Sequence, residues 1–132
     1  MLTRRGFATC ALCALSGFAA TAAEAAGPAG LKRTILQRTD GPASGYETLI
    51  VAIEIEPGFQ VARHTHPGIE SSYVLEGETE LSIEGEKPRI VGPGQSFQIP
   101  TGVPHSAKNG DKTARLAAVY VVEKGKPLAS PA

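Results

Sequence analysis

From residue 47 to residue 55 the chain places Leu49, Val51, Ile53 and Ile55 at every second position, the spacing that puts alternate side chains on one face of a strand. Thr79, Leu81 and Ile83 alternate in the same way with Glu80, Ser82 and Glu84, giving one apolar and one solvated face, as in an antiparallel sheet. Further short runs at 31–38, 60–66, 70–75, 88–91, 96–99 and 114–122 are bounded by Gly or Pro, and Asp40-Gly41-Pro42 with Ser44-Gly45 breaks the chain before residue 47. No stretch beyond residue 30 keeps a helical period over three turns. Short, evenly spaced strands without intervening helices predict an all-β sandwich or barrel of the jelly-roll kind.

The first 25 residues follow another pattern. Arg4 and Arg5 precede an apolar run over 7–20 and small residues ending in Ala23-Glu24-Ala25, the charged, hydrophobic and cleavage regions of a signal peptide. The run is shorter than the roughly 18 residues a spanning helix needs, so no membrane span is expected after cleavage. Thr3-Arg4-Arg5-Gly6-Phe7 resembles a twin-arginine export signal. Two adjacent arginines also suit general secretion, and both readings place the protein in the periplasm or otherwise outside the cytoplasm. Beyond the signal, 26–46 reads as a linker with an N-terminal strand and 47–122 as the barrel. Residues 123–132, rich in Lys, Gly, Pro, Ala and Ser, read as a tail that is frayed or exchanged in a dimer.

Charge and composition narrow the partners. Thirteen Lys and Arg balance thirteen Asp and Glu in 132 residues, so the basic face that binding a phosphate backbone requires is absent and nucleic acid is not expected as a partner. Both cysteines, Cys10 and Cys13, fall in the apolar N-terminal run, so neither disulfides nor a thiolate cluster organise the body of the chain. The small core that remains makes a homodimer the expected way to cover more apolar surface.

The three histidines are His64, His66 and His105. On a strand, two histidines two apart share a face, so His64 and His66 can converge on one ion. Pro67-Gly68 then turns the chain toward Glu70, and His105 follows the stiff Pro100-Thr101-Gly102-Val103-Pro104 segment. Taken singly, each histidine also suits a surface or hydrogen-bonded core position. Their spacing is more specific: Gly58-x5-His64-x-His66-x3-Glu70-x6-Gly77 resembles the first cupin motif, and Gly94-x5-Pro100-x-Gly102-x2-His105-x3-Asn109 resembles the second.

The resemblance is to a small single-domain, RmlC-like cupin and covers residues 58–109. It implies a double-stranded β-helix with one divalent transition metal inside, held by His64, His66, Glu70 and His105. Gly58, Gly77, Gly94 and Gly102 then serve turns, and Asn109 serves a loop hydrogen bond rather than the metal. Gln95 stands where cupins often carry Asp, outside the ligand set. Three imidazoles and a carboxylate accept Mn, Fe, Ni, Cu or Zn. Mn or Fe is favoured if export of the folded protein traps the ion before it meets copper and zinc outside.

The expected function is a metal-dependent oxidoreductase of dioxygenase type on a small oxygen-rich substrate, with Glu70 as fourth ligand and, when displaced, catalytic base. The alternatives are a metal-assisted isomerase or lyase on a hydroxy acid or sugar derivative, and a non-catalytic periplasmic protein binding a metal or small ligand. By strand parity Gln60 and Ala62 face the site with the histidines while Val61 and Arg63 do not. Ser72 is expected beside Glu70, and Gln98 and Tyr120 are expected on strands lining the barrel. Phe59, Phe97, Tyr46, Tyr73 and Tyr120 are expected in the core or a dimer interface.

Overall fold

A computed structural model describes Glu24–Ala25 and residues 28–132. The signal expected over 1–25 therefore lies outside the described residues apart from Glu24–Ala25. Among the described residues the structure is all-β. The strands are β1 (Glu24–Ala25), β2 (Leu31–Asp40), β3 (Tyr46–Ile55), β4 (Gln60–Thr65), β5 (Gly68–Glu76), β6 (Thr79–Ile83), β7 (Arg89–Val91), β8 (Ser96–Ile99), β9 (His105–Asn109), β10 (Ala114–Glu123) and β11 (Ser130–Pro131). They form a six-stranded sheet in the order β1-β2-β3-β10-β5-β8 and a five-stranded sheet in the order β11-β4-β9-β6-β7, with antiparallel pairing throughout. This is the jelly-roll arrangement that the strand pattern predicts. Among the described residues no helix is long and apolar enough to cross a membrane.

The alternation read from the sequence determines what is buried. Leu49, Val51, Ile53 and Ile55 of β3 point into the core, as do Ala114, Leu116, Ala118, Tyr120 and Val122 of its neighbour β10 and Leu81 and Ile83 of β6 on the opposite sheet. Burying one such aliphatic side chain stabilises the fold by about 1.5–3 kcal/mol, so the facing strips of the two sheets supply the main cohesion. Asn109 closes the end of this core. Its buried Nδ2 donates to the carbonyls of Ile55, Glu56 and Lys112 at 2.8–2.9 Å, the loop role expected of it. Gly58, Gly77, Gly94 and Gly102 all have positive φ, between 68° and 84°, where a side chain would strain the turn.

Three expectations need correction. The strand expected over 60–66 ends at Thr65, and its parity does not carry through. Val61 pairs with Ala107 and His64 with His105, so three steps along β4 match two along β9. The extra residue is a bulge that reverses the alternation. Val61 is consequently buried, whereas Gln60 and Ala62 are exposed. Gln98 faces outward and donates to Ser71 Oγ at 3.0 Å, because on β8 it is Phe97 and Ile99 that point inward. The C-terminal tail is not frayed: Ser130 and Pro131 pair with Thr65 and His64, and the Ala132 amide donates to the Arg63 carbonyl.

Candidate metal centre

The two sheets bring together residues far apart in sequence. His64 on β4 sits directly opposite His105 on β9. His66 lies just past the end of β4, where the chain crosses to the other sheet, and Glu70 projects from β5. All four are buried. The three imidazoles crowd together edge-on or tilted, with ring centroids 4.2 to 4.9 Å apart, and one ring nitrogen from each lies within 4.8 Å of the others.

Backbone carbonyls hold all three rings the same way round. His64 Nδ1 donates to the Ala62 carbonyl at 2.7 Å, His105 Nδ1 donates to the Val103 carbonyl at 3.0 Å, and His66 Nδ1 donates to the carbonyl of Leu128 in the tail. A carbonyl only accepts, so each Nδ1 carries the hydrogen and each neutral ring keeps its lone pair on Nε2. This fixing of tautomer through the far nitrogen is how proteins orient imidazoles toward metals. Burial lowers the His64 pKa to about 4. The Ala62 carbonyl pulls the other way, while His105, His66 and Arg33 add to the lowering. The ring is therefore neutral near pH 7, the form that binds metal.

Glu70 Oε2 lies 2.9 Å from His66 Nε2 and 3.6 Å from His105 Nε2, while Ser72 donates to Glu70 Oε1 at 2.6 Å. Burial opposes ionisation of this carboxyl, but hydrogen bonds from His105 and His66 in their protonated form, together with Ser72, outweigh burial and hold it well below the usual carboxylate range. Ser72 takes the place that strand parity predicts for it. With the ring hydrogen on Nδ1, the Nε2 atoms of His66 and His105 have no proton to give Glu70 and are buried without a hydrogen-bonded partner, so two lone pairs and a carboxylate converge with nothing between them, an arrangement that a shared cation completes. Two orphaned, inward-facing lone pairs beside a carboxylate form a donor set that fits a divalent first-row ion. His64, His66 and His105 could hold such an ion, with Glu70 adjacent.

Around the centre lies a cavity of about 40 Å³, lined by His64, Glu70, His105, Tyr120, Arg33 and apolar side chains such as Ile53 and Phe97. Tyr120 pairs with Glu70 across β10 and β5, its ring centroid is 5.0 Å from that of His66, and burial, reinforced by the Glu70 charge, raises the pKa of its hydroxyl. Arg33 and the Leu128 carbonyl escaped the sequence reading. Arg33 carries a signal in retrospect, because Leu31, Arg33 and Ile35 share one parity on β2 and so put a charge on the apolar face. Leu128 carries none, since any residue can offer a carbonyl.

Residues 51–122 match the family model described as "Cupin domain". The chain belongs to the cupin family. Among curated proteins it is 32% identical over 72 residues to dimethylsulfoniopropionate lyase DddQ of Ruegeria pomeroyi, covering 54% of this chain and 36% of that one. It is also 49% identical over 47 residues to the HTH-type transcriptional regulator PuuR of Escherichia coli, covering 36% and 25%. The matched segment thus spans well under half of either relative. Among solved structures, KdgF from Halomonas sp. superposes with a TM-score of 0.63 at 21% identity, covering 77% of this chain and 89% of that one. The polyketide cyclase RemF from Streptomyces resistomycificus gives 0.60 at 27% identity, covering 74% and 69%.

Proposed function

We propose that this chain is an exported, metal-dependent cupin enzyme of lyase or isomerase type acting on a small oxygen-bearing substrate. The observation that carries the reading is the set of three histidines locked in one tautomer, with buried, unpartnered Nε2 atoms beside Glu70. The sequence alone put a dioxygenase first. Similarity to a lyase and a polyketide cyclase moves the balance to the oxygen-independent alternative. In this reading the metal is held by His64, His66 and His105 with Glu70 as fourth ligand, and Mn or Fe remains the favoured ion. When bound, the ion supplies Lewis acidity that polarises a substrate oxygen. The chain's own residues do the rest. Glu70, oriented by Ser72, would take up a proton from the substrate, Tyr120 would present its hydroxyl to the substrate oxygen, and the apolar walls would exclude water. The Arg4-Arg5 signal and the periplasm belong to the same proposal, as does a homodimer.

The match to a transcriptional regulator favours a second reading, in which the same pocket binds a ligand without turnover. Metal analysis of the exported protein, beside a His64→Ala/His105→Ala variant, is the direct test. Near-stoichiometric Mn or Fe in the native chain and none in the variant is expected, and a native chain without metal would overturn the proposal. On metal-loaded protein, substrate loss that needs oxygen would restore the dioxygenase reading. Binding without consumption of any candidate would favour the regulator-like one.

A further inference from the structure

Arg33 stands on β2 opposite Ile53 of β3, on the inward side of the six-stranded sheet. It lines the inner cavity with His64, Glu70 and His105, and it also lines an outer cleft of about 210 Å³ beside Arg63, His64 and Pro131. Arg33 and His64 therefore stand between the cleft and the metal centre. The Arg33 Nε is buried and has no hydrogen-bonded partner, a costly state for a charged donor unless something else completes it. Glu70 is the one carboxylate lining either space among the described residues, and it is turned to His66, His105 and Ser72. Arg63 in the outer cleft is paired with Glu84 at 3.2 Å. The guanidinium also meets the Tyr120 hydroxyl, a neutral group, which leaves the buried Nε without an acceptor and the charge without an anion; an anion that enters from outside would complete both.

We propose that Arg33 is a specificity-determining anchor and that the ligand is a small monocarboxylate, its carboxylate on the Arg33 guanidinium and a second oxygen directed to the three histidines. This deepens the function proposed above and rests on it for the second oxygen. A planar guanidinium presents paired N–H groups that match a carboxylate two to two. One cation balances one negative charge, which suits a carboxylate better than a doubly charged phosphate. The remaining walls, including Ile53, Leu81, Phe97 and Leu116, fit a short hydrocarbon remainder, and the inner cavity of about 40 Å³ admits only a small one.

Calorimetric titration of the full-length, metal-loaded chain with butyrate, its neutral isostere butyramide and inorganic phosphate tests this, using native protein, Arg33→Gln and Arg33→Lys. The native chain is expected to bind butyrate at least tenfold more tightly than butyramide. Arg33→Gln is expected to lose that preference while keeping its metal content and melting temperature, and Arg33→Lys to retain part of it. Should Arg33→Gln fail to fold, the weakened preference in Arg33→Lys decides. Equal binding of butyrate and butyramide, no butyrate binding by folded native protein, an undiminished preference in the variants, or tighter binding of phosphate than butyrate would each overturn the proposal. A native chain that takes up no metal sinks the enzymatic reading alone, since the butyrate preference at Arg33 is still measurable without it.

Discussion

At the scale of single residues, the candidate site depends on groups that never touch the metal position. Gly68 is the clearest case. It opens β5 immediately after Pro67 and two residues before Glu70, where the backbones of β5 and β10 run so close that a Cβ at this position would meet the Val121 carbonyl oxygen at 1.9 Å and Val122 Cα at 2.6 Å. Backbone atoms cannot swing aside as a side chain can. Gly68→Ala is therefore expected to destabilise the fold by roughly 2–4 kcal/mol and to lower metal uptake by displacing Glu70. Denaturant unfolding with parallel metal analysis checks this, and an unchanged midpoint would show that the strands can separate freely. The four candidate positions were legible as letters, because the motif spacing singles out His64, His66, Glu70 and His105. Their orientation was not legible, because it is fixed by the carbonyls of Ala62, Val103 and Leu128, and a carbonyl has no letter of its own.

At the scale of elements, β11 is the least foreseeable and has a direct bearing on the centre. Its pairing with Thr65 and His64 lays the tail along β4, and the carbonyl of Leu128 accepts from His66 Nδ1. Removing residues 128–132 takes away that acceptor while leaving the central strands of both sheets paired. Metal affinity should fall 10- to 100-fold, the usual cost of losing the partner of a metal-bound imidazole, with secondary structure retained. Competition with a metal indicator measures it, and unchanged affinity in the truncated chain would remove the tail from the site. The strand β9 also escaped the pattern. His105-Ser106-Ala107-Lys108-Asn109 has no apolar alternation, and it is extended because β4 and β6 pair with it on both sides.

At the scale of the whole molecule, the outer face of the six-stranded sheet carries the proposed self-association. The register aligns Ile50, Val119, Ser71 and Gln98 in one row across β3, β10, β5 and β8, and Ala52, Ala117, Tyr73 and Ser96 in the next. Neither row contains a charge, and Ile50, Tyr73 and Val119 are exposed there. A second copy can meet this face without like-charge repulsion and gain from covering it. Light scattering on the native chain should report a dimer, and Val119→Asp should shift it to monomer with its metal content intact. A native monomer at high concentration would dismiss the interface.

The amino-acid sequence by itself determined the all-β class, the inward strips of β3, β6 and β10, the turn glycines and the identity of the candidate ligands. Each depends on local periodicity or fixed spacing, and both survive in one dimension. Only the tertiary structure decided that a bulge in β4 turns Val61 inward, that Arg33 opens onto the same cavity as the histidines, and that the tail returns to hold His66. The last of these joins positions 62 residues apart. These features arise from strand register and backbone hydrogen bonding, which are settled when the sheets pack and leave little trace in the order of side chains.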